Sequence, residues 1–213
     1  MSERASFATP VSVAEAYGVS TVYEAAGRTG LVDLELISIV PGAKVAGLAR
    51  TVLCGQDDNL MVPAAIAHVR SGEVLVVRMP ESRPVSLLGG LLAEQCVARG
   101  VAGVLVDAAV RDVEEIRALR LPVWARYVRA RSAAKKVVGT LDAPIEIGGT
   151  TIATGDLIVL DADGAVAVAA ARVDEVLAAA AARVAQERAK LERYRRGELS
   201  YDLDGLRALV ERR

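Results

Sequence analysis

The chain has 213 residues, and 26 Lys plus Arg against 27 Asp plus Glu leave a formal net charge of −1. That balance projects no field toward nucleic acid or an anionic membrane, and no uncharged apolar run reaches the ~18 residues a membrane helix needs. Apolar residues make up 53% of the chain and aromatics 3%, which predicts a core of small aliphatic side chains rather than an aromatic binding face. Cys54 and Cys96 stand far apart in no Cys-x-x-Cys pair, so neither a structural zinc site nor a disulfide framework is expected. Both read as small hydrophobes in a reducing compartment. The opening MSERASFATP carries charge and no apolar signal core. The expectation is a soluble, cytoplasmic protein with one domain over 1–213.

In chain order, Val11–Gly18 and Ser20–Arg28 read as two short helices. Ser20 or Thr21 is placed to cap the second, with Glu24 at capping-box distance from Thr21. Leu36–Val40 and Lys44–Leu53 read as strands around a Pro41-Gly42-Ala43 turn. Asp57-Asp58-Asn59 caps a helix from Leu60 to about Arg70, and Glu73–Met79 is a strand. Pro80–Pro84 leads into the central stretch 87–115, LLGGLLAEQCVARGVAGVLVDAAVRDVEE. Gly89-Gly90 forms a tight turn there, and an amphipathic helix runs from Leu91 to Gly100. Val101–Val106 follows as a strand covered on both faces. Arg111-Asp112 stands where that strand gives out.

Beyond it come a helix to about Leu119 and the strand Pro122–Val128. The loop Arg129–Lys136 is basic and reads as solvated surface, with subunit contact or anion attraction as the other uses. Ala143–Val168 is β-rich, with a hairpin turn at Asp163-Gly164. An Ala-rich helix spans Val173–Arg196. It is longer than a globular core needs, so residues 173–213 are expected to form a C-terminal helix and tail packing on a neighbouring subunit. Strands and helices mix without a regular βαβ period.

Several chemistries are excluded on residue supply. His68 is the single histidine, and without a G-x-S-x-G elbow it supports no Ser-His-Asp triad. There is no P-loop and no full G-x-G-x-x-G. Lys44, Lys135, Lys136 and Lys190 lie in polar surroundings, against a Schiff-base lysine. What remains is a glycine-lined helix start that can cradle a carboxylate or phosphate, Arg111 to fork onto the same anion, and Asp112 to hold a hard divalent cation. The residues alone thus describe a small anionic substrate with a metal beside it. Asp112 also stands where it could simply cap the helix that follows.

Gly90, twenty intervening residues, Arg111-Asp112, two more residues and Glu115 resemble the G-x20-R-D-x2-E/D signature of the RraA-like family. STVYEAAGRTG, ARGVAGVLVDAAVRD, TIATGDLIVLDADGAVAV and the RRGELSYD tail are similar to that family as well. The resemblance implies an α/β fold of the swivelling β/β/α kind, as a single domain with a long C-terminal helix. It also implies a homotrimer or hexamer with active sites between subunits. The family includes metal-dependent (class II) aldolases that release pyruvate from 4-hydroxy-4-methyl-2-oxoglutarate and 4-carboxy-4-hydroxy-2-oxoadipate, with oxaloacetate decarboxylation as a side activity. It also includes ring-shaped regulators of a ribonuclease.

By that resemblance, Arg111 binds the 2-oxo acid and stabilises its enolate. The amides of Leu91 and Leu92, beside Gly90, hold the substrate carboxylate. Asp112 anchors Mg²⁺ or Mn²⁺, and Glu24 with either Glu187 or Glu198 of a neighbouring subunit holds metal-bound waters. The family's aldolases tend to carry Asp or Glu where this chain has Gly90. That substitution removes an acid credited with proton transfer in aldol cleavage, and leaves oxaloacetate decarboxylation as the less demanding reaction.

Overall fold

Val74 to Val77 and the whole of Gly103–Val110 are buried aliphatic runs, as strands covered on both faces must be. The computed structural model describes residues 4–211, and the other elements assemble around those two strands. In chain order they are α1 Arg4–Tyr17, α2 Val19–Ala25, β1 Ile37–Ser38, β2 Val45–Leu53, α3 Met61–His68, β3 Val74–Arg78 and β4 Ser86–Leu88. There follow α4 Gly90–Ala98, β5 Gly103–Val110, α5 Val113–Ala118, β6 Val123–Val128, β7 Thr140–Leu141, β8 Ile145–Ile147 and β9 Thr150–Ile152. The chain closes with β10 Leu157–Asp161, β11 Gly164–Val168, α6 Val173–Arg195, α7 Ser200–Leu203 and α8 Leu206–Val210.

The main sheet runs β1-β6-β5-β3-β2-β10-β11, with β4 beside β5 and β7 beside β2. β2, β3, β5 and β6 are parallel neighbours. β2–α3–β3–α4–β5–α5–β6 is therefore a βαβ series, and the expectation of no regular βαβ period is wrong. The pattern hides because α3 is apolar on nearly every position and α5 is only 6 residues long. Strand β4, read in the sequence as the approach to a turn, also interrupts it. β2 is shared between two halves of the sheet: Val45–Leu48 pair antiparallel with β10, and Ala49–Leu53 pair parallel with β3. The sheet curls there.

Three apolar clusters fill the spaces between layers. Met61, Val62, Ala65, Ile66, Ala93, Cys96 and Ile116 press α3, α4 and α5 onto one face of the parallel strands. Val74, Val76, Leu105 and Trp124 on the opposite face meet Ile147, Ile152, Ile158, Leu160 and Ala165. The outer face of β10–β11 (Leu157, Val159, Val166, Val168) is closed by Ala14, Val19, Val22 and Val176. The result is helices, sheet, sheet, helices: a mixed α/β fold with a curled sheet and a long C-terminal helix, as the sequence leads one to expect. Trp124, 1% exposed, ties the two β-layers by donating from its indole N–H to the Asp161 carbonyl at 2.9 Å.

Some local expectations shift. Ser20 and Thr21 do not cap α2; the helix starts one residue earlier, after Gly18. Its Val19 amide is instead satisfied by the Asp161 carboxylate at 2.8 Å, 142 residues away. A tertiary cap replaces the capping box, and Glu24 is released for other partners. Leu36–Val40 contracts to the two residues of β1. Asp58 does serve α3, its Oδ1 accepting from the Leu60 amide at 2.8 Å.

Arg50, 8% exposed, crosses the sheet to Glu73 (Nε to Oε2, 2.7 Å) and to Asp142 (Nη1 to Oδ1, 3.0 Å). The hydrogen bond that Arg50 donates to Glu73 is the main influence raising the Arg50 pKa above its ordinary value. Removing one partner of a buried pair leaves the other charge desolvated. Glu73→Ala should therefore lower unfolding stability by about 3 kcal/mol, Asp142 remaining as partial compensation. Urea unfolding would show this as a fall in midpoint at unchanged slope.

Candidate functional site

The site lies where α4 begins and β5 ends. β4 and β5 run parallel side by side, so the chain leaving β4 into Gly89-Gly90 meets the chain leaving β5 into Arg111-Asp112. The Arg111 amide donates to the Leu88 carbonyl at 3.0 Å and locks that meeting. Gly89 leaves room for these side chains: a Cβ there would stand 2.6 Å from Asp112 Oδ2 and 3.0 Å from Arg111 Nε and would displace them.

Asp112 adopts left-handed backbone angles (φ 56°, ψ 46°) and makes no side-chain cap to α5. Its use as a helix cap is thereby excluded. Non-glycine residues occupy this region at a cost, and such outliers gather at functional sites. The turn aims the carboxylate back at α4, where Oδ2 accepts from the Gly90 amide at 2.9 Å and lies 3.4 Å from Arg111 Nε. The Leu92 amide bonds to the Gly89 carbonyl at 3.1 Å. Among the described residues the Leu91 amide has no acceptor, so it is free to meet a ligand anion at the helix start.

Arg111 faces a hollow of about 370 Å³ lined by Leu91, Leu92, Gln95, Ser132, Lys135 and Asn59, among others. Its Nη1 donates to the Ser132 hydroxyl. Lys135 donates from Nζ to Asn59 Oδ1 at 3.2 Å, and Asn59 in turn donates to the Leu87 carbonyl at 3.0 Å. The pocket thus holds two cations, one free helix-start amide and several neutral hydrogen-bonding groups. Such a set of groups can bind a small molecule carrying more than one negative charge. On its other side Asp112 borders a second hollow of about 440 Å³ with Gly90, Glu94 and Glu115.

The sequence does not mark Asn59, Gln95, Ser132 or Lys135 as pocket residues. Asn59 read as part of a helix cap and the 129–136 loop as solvated surface. Nothing local marks either as facing Arg111; only the folding of that loop across the α3 start does so.

Asp112 offers a hard oxygen donor, since its Oδ1 accepts no hydrogen bond among the described residues. Mg²⁺ is commonly held by one or two carboxylates with water and substrate completing its shell, so this donor fits such an ion. Among the described residues no group of three or more His, Cys, Asp or Glu could hold a metal. Glu24 and Glu187 do meet, through Arg183: its Nη1 lies 3.7 Å from Glu24 Oε2 and its Nε 2.8 Å from Glu187 Oε1. Glu198 is committed elsewhere, to Arg193 at 2.6 Å and Arg196 at 3.2 Å. The hydrogen bond from Arg193 leads in lowering its carboxyl pKa. Of the two alternatives for the C-terminal acid, Glu187 shares a face with Glu24 and Glu198 does not.

With that geometry in view, the relatives are informative. The chain belongs to the RraA-like family, described as Aldolase/RraA, whose model matches residues 14–167. A relative from Halalkalibacterium halodurans, named "Putative 4-hydroxy-4-methyl-2-oxoglutarate aldolase", is 31% identical over 169 residues, covering 79% of this chain and 78% of that one. Among solved structures, an uncharacterized protein from Pseudomonas syringae pv. tomato superposes with a TM-score of 0.80 at 25% identity, over 90% of this chain and 94% of that one. RraAS2 of Streptomyces coelicolor, titled an unusual member of the RNase ES inhibitor RraA protein family, gives 0.74 at 27% identity, over 89% and 96%.

Asp58, wholly buried, underlies the pocket loop. Burial works to raise its pKa, but the amides of Leu60, Lys136 and Val137 and the charge of Lys135 outweigh it and leave the carboxyl below its ordinary value. A group depressed in the folded state stabilises fully above its unfolded pKa, about 3.9, and loses that contribution as pH falls through the folded value. Asp58→Asn should therefore cost stability at neutral pH, with the gap from the parent chain narrowing below about pH 4. Urea midpoints at stepped pH measure it; a gap independent of pH would contradict it.

Proposed function

We propose that this protein is a divalent-metal-dependent carbon–carbon lyase that releases pyruvate from a 4-hydroxy-2-oxo-dicarboxylate and decarboxylates oxaloacetate through the same enolate chemistry. The observation that carries this reading is the convergence of Arg111, Asp112 and the α4 start on one pocket that also holds Lys135. The aldolase name of the Halalkalibacterium relative supports it.

In this reading the substrate's 2-oxo acid end lies at the start of α4, its carboxylate on the Leu91 amide and its keto oxygen toward Arg111. Asp112 would hold Mg²⁺ or Mn²⁺, which would supply Lewis-acid polarisation to the 2-oxo acid. The C4 hydroxyl gives up its proton as the C3–C4 bond breaks, and the bond electrons pass to the keto oxygen as a pyruvate enolate. Arg111 stabilises that developing negative charge. The C4 fragment departs as a carbonyl compound, and protonation at C3 yields pyruvate. Lys135 takes the distal carboxylate, which selects diacids over monoacids.

A Cβ on Gly90 would stand 3.3 Å from Glu115 Cβ and 3.5 Å from Asp112 Cβ, so Glu115 lies beside the position where the family's aldolases carry an acid. In this reading Glu115, which lines the hollow on the other side of Asp112 together with Glu94, is the carboxylate that would stand in for that acid in proton transfer. Glu24 and Glu187, paired through Arg183, are the acids a neighbouring copy would bring in a trimer or hexamer. The exposed Leu199, Leu206, Leu209 and Val210 are consistent with packing of the C-terminal segment on another copy. Light scattering in solution tests that assembly.

A second reading is a non-catalytic, ring-shaped regulator of a ribonuclease or other partner protein. It is favoured by Gly90 and by the family title of the Streptomyces structure. Turnover separates the two. Pyruvate release from oxaloacetate and from 4-hydroxy-4-methyl-2-oxoglutarate, coupled to lactate dehydrogenase, should require Mg²⁺ or Mn²⁺ and stop with EDTA. Arg111→Ala should lower kcat/KM by about a hundredfold or more. Glu115→Gln should depress aldol cleavage more than decarboxylation. EDTA-insensitive release would sink the metal-dependent reading, and no release from either substrate would favour the regulator.

A further inference from the structure

Residues 129–139 carry Ser132 and Lys135 to the pocket, yet the loop has no helix and only single β-bridges to hold it. Ala133 packs against the apolar core, and the rest of its anchorage is polar. The Ser86 amide donates to the Arg131 carbonyl at 2.8 Å, the Asn59 amide to the Ala134 carbonyl at 2.9 Å, and the Ala134 amide to the Asp57 carbonyl at 2.9 Å. The strongest tie is charged. Asp58 Oδ2 accepts from two successive loop amides, Lys136 at 2.6 Å and Val137 at 3.1 Å, while its Oδ1 is held by the Leu60 amide at the head of α3. All three donors are backbone amides, the carboxylate is fully buried, and hydrogen bonds to an ionised acceptor are about twice as strong as neutral ones. Lys135 immediately precedes the clamped pair, and its Nζ meets Asn59, the residue next to Asp58.

We infer that Asp58 is a positioning residue, whose buried carboxylate fixes the 129–139 loop so that Lys135 stands in the pocket with Arg111. Asp58 itself touches no substrate. It acts through Lys135, so it governs the hold on a distal carboxylate and not the bond-breaking end of the site. This rests on the proposed function, in which Lys135 takes that carboxylate. An Asn at this position cannot satisfy the same donors: its NH₂ must face either the Leu60 amide or the Lys136–Val137 pair, donor against donor.

Two measurements on the full chain test it, both with Mg²⁺ present. Hydrogen exchange in Asp58→Asn should be faster at the Lys136 and Val137 amides by about tenfold or more, with β5 amides unchanged. Calorimetric titration with a diacid and a monoacid probe, 2-oxoglutarate and 2-oxobutyrate, should show diacid affinity falling about tenfold and monoacid affinity kept, the loss of one charged hydrogen bond. Lys135→Met should give the same selective loss, and the double variant no further one, because both act on a single contact.

Equal weakening of both acids, unchanged diacid affinity in Asp58→Asn, or additive losses in the double variant would each overturn the inference. An unaltered diacid affinity in Lys135→Met would remove the Lys135 reading, and Asp58's route with it. Because exchange at 136 and 137 is read separately from binding, that failure is distinguishable from failure of the clamp. If Asp58→Asn does not fold, Val137→Pro removes one loop donor while leaving the buried acid in place, and the same selective loss is expected.

Discussion

The hydrogen bond from the Gly90 amide to the Asp112 carboxylate joins the first turn of α4 to the end of β5, and the site depends on it. Two segments 22 residues apart have to meet for it to form. They do so because β4 and β5 are parallel neighbours whose chains leave the sheet at the same edge. The left-handed turn at Asp112 is the local cost of aiming the carboxylate backwards. Gly89 leaves the space that the Asp112 carboxylate and the Arg111 guanidinium occupy.

The layers around this bond explain its rigidity. β5 is buried along its whole length, with helices on one face and a second β-layer on the other. The residues that follow it therefore emerge from a fixed point. The loop 129–139 is the contrasting case: it belongs to no layer and is placed by a few polar ties from the α3 start and from β4. One half of the pocket is set by aliphatic packing and the other by hydrogen bonds to Asp58 and Asn59.

That division also accounts for what the sequence reveals. Arg111 and Asp112 are legible because they follow a strand marked by an unbroken aliphatic run, and together with the glycine-led helix before that strand they carry a spaced family signature. β10, β11 and α6 are legible through aliphatic strands around a turn signal and a long Ala-rich run. The βαβ series is obscured where helices are too short or too uniformly apolar to show a period. The α2 cap is misassigned because its acceptor, Asp161, is remote in sequence and adjacent only in the fold. Lys135 and Asn59 look like surface and cap residues for an equivalent reason. Their role depends on where a loop without periodicity is laid down, and no short-range pattern encodes that.

Trp124 gives the molecule a built-in optical reporter whose field of view is set by its position. It is the only tryptophan, sealed between the parallel strands and β10 with its indole bonded to the Asp161 carbonyl. Its emission senses whether the two β-layers stay in register. It lies on the face of the sheet away from α4, so ligand entry beside Arg111 reaches it only through the strands themselves. Asp161 links the signal further, because its side chain holds the head of α2. Separation of the β-layers and release of that helix should register as one spectral event.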